Sequence, residues 1–278
     1  MLKIHEYLRL RKQTGDIGVE IEVEGHDLPD ETELWSRERD GSLRGAENGE
    51  YVLRKPVLHA ELGAAFDQLR YAFEESGAVV DHSTRAGVHV HINVQQLTFI
   101  QLFNYITLYL IFEEPILELC DRFRRGNHFC LRAKDAGYLP ALLRNAALSE
   151  DVVLLNTEDI RYSAMNVTSV FKYGSVEFRS LESTDDFDHI QGWCDLLYTL
   201  KQAALTFKDP VEIMGVVSMG GYGRFAGEVL GPHLEKIIKQ PEWEQGMRRG
   251  IRTAQDIAFS RKWGVKSLDI FQKNAGLL

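Results

Sequence analysis

Cysteine is scarce in this chain of 278 residues. Its three cysteines, Cys120, Cys130 and Cys194, show neither a CxxC pair nor a zinc-finger spacing. A sparse, odd set excludes a disulfide scaffold and fits free thiols in a reducing cytoplasm. Basic residues are also in the minority: 32 Lys and Arg against 41 Asp and Glu leave a net charge of -9. That balance argues against non-specific binding to nucleic acid or to an anionic membrane surface. Long apolar runs are missing too. The most apolar segment, within about 97–121, is shorter than the roughly 20 residues of a membrane span and runs into Glu113 and Glu114. Residues Met1 to Glu6 lack the continuous apolar stretch of a signal peptide. The glycines from Gly215 to Gly223 are not followed by Lys-Ser or Lys-Thr, which excludes a Walker-type phosphate loop there. There is no internal repeat and no low-complexity tract. What remains is an ordinary globular composition, 44% hydrophobic and 26% charged, long enough for a large core. A cytoplasmic location is expected.

The most ordered pattern is the stretch Gly18 to Glu24. Val19, Ile21 and Val23 point one way in an extended chain; Glu20, Glu22 and Glu24 point the other. Carboxylates on one strand face lie roughly 7 Å apart and repel in a partly dry site. A hard divalent cation converts that repulsion into binding. Alone, such a strand is more often a solvated face.

The design recurs along the chain. After a short lead-in at about 2–12 and a first strand at about 16–24, a polar loop at about 25–49 carries Asp40-Gly-Ser42. A second strand, Glu50 to Lys55, stops at Pro56 and presents Glu50 and Arg54. His59 to Ser76 reads as an amphipathic helix with Leu62, Phe66, Leu69, Tyr71 and Phe73 at helical spacing, stopped by Gly77. A short strand at 78–81 precedes Gly87 to Val94, which alternates Val88, Val90, Ile92 and Val94 with His89, His91 and Asn93. The apolar segment at about 97–121 reads as a central buried helix with a polar stripe of Gln101, Asn104 and Thr107; Pro115 is a candidate kink. The basic run Arg122 to Arg125 reads as a solvated face or a helix cap. A short helix is expected near 138–147. A hairpin follows, with arms at 161–170 and 175–180; the second sets Glu177 and Arg179 opposite Val176 and Phe178. Another helix is expected at about 186–207, then mostly helical structure with a glycine-rich break from Gly215 to Gly223 and a last helix near 266–273.

Four strands with one apolar and one polar side imply an antiparallel sheet with a packed face and an open face. Helices on the packed face make it an α+β fold. If the four belong to one sheet, Glu20, Glu22, Glu50, Arg54, His89, His91, Asn93, Glu177 and Arg179 converge on the open face. Each piece has a bland alternative: His-x-His as an ordinary histidine pair, Glu177 with Arg179 as a surface ion pair, Asp40-Gly-Ser42 as a turn.

The order of the pieces carries more information. Gly18-Val-Glu-Ile-Glu22, Asp40-Gly-Ser42, Gly49-Glu50 with Pro56, Gly87-Val-His-Val-His91, Arg161-Tyr with Asn166, and Val176-Glu-Phe-Arg179 together resemble the amidoligase family. That family is a branch of the ATP-dependent carboxylate–amine ligases related to glutamine synthetase and glutamate–cysteine ligase. The resemblance covers about 16–180. It implies a curved, glutamine-synthetase-like antiparallel sheet with helices on one face. Residues 1–208 would form the catalytic domain and 209–278 a helical extension packed on it. The resemblance implies ATP and Mg²⁺ or Mn²⁺ as cofactors, with Glu20, Glu22, Glu50, His89 and Glu177 as metal ligands. It places His91 near nucleotide phosphate and makes Arg161 and Arg179 phosphate and acyl-phosphate clamps, so that Arg161, Arg179 and Glu177 carry the chemistry. Asp40, Ser42 and Asn93 become substrate contacts. One departure stands out: relatives in the glutamine synthetase branch often carry a basic residue where this chain has Ser175.

The implied reaction makes an amide from a carboxylate by way of an acyl phosphate, on an amino acid, a peptide or a protein side chain. It needs hard anionic ligands, one or two imidazoles and separate guanidinium groups on one rigid surface. Small-molecule or peptide substrates are the implied partners, with neither nucleic acid nor membrane, and a homo-oligomer is compatible. The rival readings are a metal-dependent hydrolase using His-x-His and a non-catalytic nucleotide- or metal-binding module.

Overall fold

A computed structural model describes residues 1–264. The helix expected near 266–273 lies outside the described residues.

Seven antiparallel strands form one open sheet. They are β1 (Ile17–His26), β2 (Trp35–Glu38), β3 (Glu47–Leu53), β4 (Val79–Val80), β5 (Gly87–Asn93), β6 (Met165–Asn166) and β7 (Ser175–Glu182). Their order is β2-β3-β1-β5-β7-β6, and β4 pairs with the end of β1. The helices are α1 (Ile4–Leu8), α2 (Leu62–Ser76), α3 (Phe99–Leu117), α4 (Leu139–Ser149), α5 (Ser169–Lys172), α6 (Phe187–Ala204), α7 (Pro210–Gly220), α8 (Tyr222–Leu230), α9 (Leu234–Ile238) and α10 (Trp243–Ala258). This is the α+β architecture that the alternating strands imply. Among the described residues, no helix is long and apolar enough to cross a membrane.

The period-2 pattern decides which sheet face is covered. Val19, Ile21, Val23, Val88, Val90, Ile92, Val176 and Phe178 are fully buried. α2 brings Phe66 against Trp35 and Phe73 against Tyr51; the Trp35 indole donates to Ala65 O at 2.9 Å. α3 sets Tyr105 and Tyr109 against Phe178. α2 ends at Gly77 with φ of 71°, the left-handed conformation that glycine takes without strain. Tyr71, read from sequence as part of the α2 apolar face, instead points to solvent at 65% exposure.

α3 is almost wholly buried, and its polar residues are structural. Thr98 and Gln101 form a reciprocal capping box. Asn104 donates to Ala204 O and Phe207 O, tying α3 to the end of α6. Pro115 sits inside the last turn, where it has no N–H for the Ile111 carbonyl. α10 packs there: a Cβ on Gly250 would collide with the Leu110 and Ile111 carbonyls, and one on Gly246 would crowd Pro115. One contiguous core joins the sheet to these later helices through Ile213, Phe225, Met247 and Ile257.

Three expectations are corrected. The 25–49 loop contains β2. The first hairpin arm is not a ten-residue strand: only Met165–Asn166 pairs with β7, and α5 occupies the connection. The break expected across Gly215 to Gly223 is confined to Gly221, with φ of 74°; Gly215 and Gly220 lie within α7 and Gly223 within α8.

Candidate functional site

Strand register assembles the polar face in rows. Gly18, His91, Glu177 and Asn166 are successive cross-strand partners on β1, β5, β7 and β6. The next row pairs Glu20 with His89. The third places Glu38, Glu50 and Glu22 side by side on β2, β3 and β1. Between Val88 and Val90 of β5 the β7 ladder carries a bulge, so that Arg179 and Ser180 both stand against His89. Bulges re-aim side chains in this way.

The centre is dry and closely coupled. Glu22, His89, His91 and Glu177 are each at most 9% exposed. Glu20 Oε2 lies 3.3 Å from His89 Nδ1, and Glu20 Oε1 lies 3.3 Å from His91 Nε2. His89 also approaches Glu22 and Glu177, each at 3.8 Å. Glu177 Oε2 accepts from Asn166 Nδ2 and Ser169 Oγ, both at 2.7 Å, while its other oxygen pairs with Arg179. Glu22 accepts the Gly87 N–H at 2.9 Å.

Electrostatics separates the carboxylates. Burial opposes ionisation of Glu20, but His89 and His91 hold its carboxyl far below the usual carboxylate range. Glu177 is likewise held low: burial opposes it, and Arg179 with the two histidines outweighs burial. For His91, burial works against the charged form, and the Glu20 and Glu177 carboxylates nevertheless raise its pKa. Glu50 is pushed up to about 7, first by burial and then by the charges of Glu20 and Glu22. Like charges opposite one another on a sheet are destabilising.

Two sets of side chains can each bring three ligand atoms within 4.8 Å of one another: Glu20, His91 and Glu177, and Glu20, Glu50 and His89. His91 Nε2 is buried and makes no hydrogen bond. An orphaned imidazole nitrogen facing a carboxylate, beside a strand pair of like charges, is a donor set that fits a divalent cation. His91 is one of these candidate donors; the family resemblance places it near nucleotide phosphate.

Three clefts lie over the rows. A cleft of about 400 Å³ contains Glu20, His91, Arg161, Lys172, Glu177 and Arg179. A second, about 210 Å³, contains Glu22, Asp40, Ser42, Arg85, Arg124 and Arg179. A third, about 260 Å³, holds Gly18, Glu20, Lys55, His91 and Asn93. The structure thus brings Glu20, Glu22, Glu50, His89, His91, Glu177 and Arg179 together. Arg161 stands at the rim, stacked on the Tyr162 ring and 3.3 Å from Glu158. The Asp40 carboxylate closes its own turn onto Ser42. Asn93 is held by the backbone: its Nδ2 donates to Gly15 O, and its Oδ1 accepts from Gln95 N. Arg54, expected beside Glu50, is at the sheet edge with Glu31. Glu24 takes the Arg44 and Gly45 amides and shapes the neighbouring loop.

Sequence reasoning missed Arg85, Arg124 and Lys172. The run Arg122 to Arg125 reads from sequence as a solvated face or a helix cap, yet Arg124 is 2% exposed and donates to Ala86 O and Arg179 O. Nothing in Arg122-Phe-Arg-Arg125 marks which arginine turns inward.

A family model described as "Putative amidoligase enzyme" matches residues 50–200, more than half of the chain. The chain belongs to this amidoligase family. The matched span holds Glu50, His89, His91, Arg161, Glu177 and Arg179; β1, with Glu20 and Glu22, precedes it and is built into the same sheet. Comparison with curated proteins finds no match. Among solved structures, a bifunctional glutathione synthetase from Pasteurella multocida is similar, with 12% identity and a TM-score of 0.35. The likeness covers 94% of this chain and 49% of that one, so the chain spans about half that protein's length.

Proposed function

We propose that the chain is an ATP-dependent carboxylate–amine ligase working through an acyl phosphate. The observation that carries this reading is the cluster of Glu20, His89, His91 and Glu177, set beside the Arg179 guanidinium on the floor of a cleft of about 400 Å³. That volume lies within the roughly 300–1,000 Å³ of ligand sites.

In this reading the larger cleft takes ATP. Arg161, Lys172 and Arg179 meet its phosphates, and Tyr162 and Tyr173 supply aromatic surface at its walls. Glu20, Glu22, Glu50, His89, His91 and Glu177 are the residues that would hold Mg²⁺ or Mn²⁺. Bound divalent cations supply charge neutralisation along the phosphate chain. A substrate carboxylate oxygen attacks the γ-phosphorus, and the bond to ADP breaks. An amine nitrogen then attacks the acyl carbon; inorganic phosphate leaves, and the amine loses a proton. Arg179, anchored by Glu177, is placed to stabilise the equatorial phosphoryl oxygens. No protein nucleophile is needed, and all three cysteines are buried. The sheet is of the glutamine-synthetase-like type in this reading, with residues 1–208 carrying the site and the later helices bracing α3.

The test is phosphate release by the purified protein with ATP, Mg²⁺, and mixtures of amino acids, small peptides and polyamines. Release should require both a carboxylate and an amine. Glu22→Gln and Glu177→Gln should abolish it with the circular dichroism spectrum unchanged. Full activity in both variants refutes the proposed site. Hydrolysis supported by zinc without ATP points instead to a metal-dependent hydrolase.

A further inference from the structure

The cleft of about 210 Å³ contains two guanidinium groups, Arg85 and Arg124, that the ligase chemistry does not use; Glu22 and Asp40 are the carboxylates of its lining. Three guanidinium groups border it: Arg85, Arg124 and Arg179. Arg179 is paired with Glu177. Among the described residues, Arg85 and Arg124 have no carboxylate within ion-pair distance. The Arg85 guanidinium donates to Ser42 O through Nε and lies over the Phe129 ring at 5.2 Å, while its backbone N–H donates to Ser83 Oγ. Arg124 is 2% exposed, and its Nε is buried without any partner. A buried guanidinium that lacks a counter-charge is costly unless an anion completes it. Glu22 and His89 line the same cleft and belong to the proposed metal–phosphate site.

We infer that this cleft holds the carboxylate substrate and that the substrate is a compact dicarboxylate. One carboxylate lies toward Glu22 and His89 and is the group activated. The second pairs with Arg85, whose Nη groups donate to nothing among the described residues and match a carboxylate in a planar fork, and it lies in the field of Arg124 behind it. Asp40 borders the same cleft and gives an amino group on the substrate a partner. The volume admits a molecule of amino-acid size. The inference rests on the ligase reading for the direction of the activated carboxylate, but the binding of a dicarboxylate does not depend on turnover.

Calorimetry separates the two. Succinate, glutarate, L-aspartate and L-glutamate are titrated beside butyrate, a matched monocarboxylate, into protein holding Mg²⁺ and a non-hydrolysable ATP analogue. At least one dicarboxylate should bind ten times or more tightly than butyrate. Arg85→Gln, at a partly exposed position that the fold tolerates, should remove that preference and leave affinity for the nucleotide analogue unchanged. Arg85→Lys, which keeps the charge but loses the fork, should weaken dicarboxylate binding with native thermal unfolding. No dicarboxylate binding, equal affinity for butyrate, or an unchanged preference in Arg85→Gln overturns the inference. In parallel, hydroxylamine replaces the amine in a turnover assay with ATP. Dicarboxylate binding without hydroxamate formation overturns the ligase reading alone. Hydroxamate from monocarboxylates as readily as from dicarboxylates overturns the inference alone.

Discussion

Replacing Glu50 by Gln should make the metal-free protein more stable and the metal-loaded protein less so. Glu50 stands directly across from Glu22 on β1 and from Glu38 on β2. Burial and the neighbouring charges lift its pKa from 4.5 to about 7. The folded state therefore keeps this proton to higher pH than the unfolded chain does. Stability falls as pH rises from about 4.5 to about 7, and the whole penalty is present above that. At full weight the displacement is worth about 3 kcal/mol. Glu50 is only partly buried, so solvent screening reduces this to about 1–2 kcal/mol. Urea denaturation at pH 8 without divalent cations should show Glu50→Gln more stable by that amount, and the two proteins should converge near pH 4.5. Adding Mg²⁺ or Mn²⁺ at 100 times its dissociation constant should stabilise the wild type by about 2.7 kcal/mol. The variant, lacking one anionic donor, should gain less, by about 1.4 kcal/mol for each tenfold loss of affinity. A variant that is no more stable at pH 8 without metal, or that gains as much from the cation, would refute the reasoning.

Two further outcomes follow from other buried groups. Glu113 on α3 is pushed up to about 8 by burial, with the Ala133 amide hydrogen-bonded to its carboxylate oxygens. Its raised pKa means that stability declines between about pH 4.5 and 8, so Glu113→Gln should be more stable at pH 9, by up to about 5 kcal/mol, and equal near pH 4.5; urea denaturation at the two pH values checks the sign. Gly87→Ala places a Cβ on the Arg124 guanidinium and should cost about 2–3 kcal/mol by displacing its bonds to Ala86 O and Arg179 O, again read by urea denaturation.

The sheet was legible because one of its faces is fully packed. Alternation in β1, β5 and β7 is enforced wherever every second residue meets α2, α3 or α6, and those strands carry Glu20, Glu22, His89, His91 and Glu177. β2 was hidden because it is a short edge strand: Trp35 is its one apolar residue, followed by Ser36, Arg37 and Glu38. The first hairpin arm misled because its alternation continues past Asn166, while the chain turns into α5 and places Ser169 on Glu177. The site's acids were readable as a periodic set. Arg85, Arg124 and Lys172 were not, since each comes from a connection whose path is fixed by tertiary packing.

The β7 bulge has a consequence for how the chain tolerates changes of length. On a regular strand Glu177, Arg179 and Leu181 would share one face. The extra residue shifts the phase, so Leu181 lies in the core opposite Val88 while Glu177 stays in the site opposite His91. Removing Ser180 would restore a regular ladder, with Val90 opposite Phe178, His89 opposite Arg179 and Val88 still opposite Leu181, so that both frames survive. The loss of Ser180 should therefore cost the local bend that aims Arg179 rather than the register of the strand, much as a chain shortened by its one spare link still meshes.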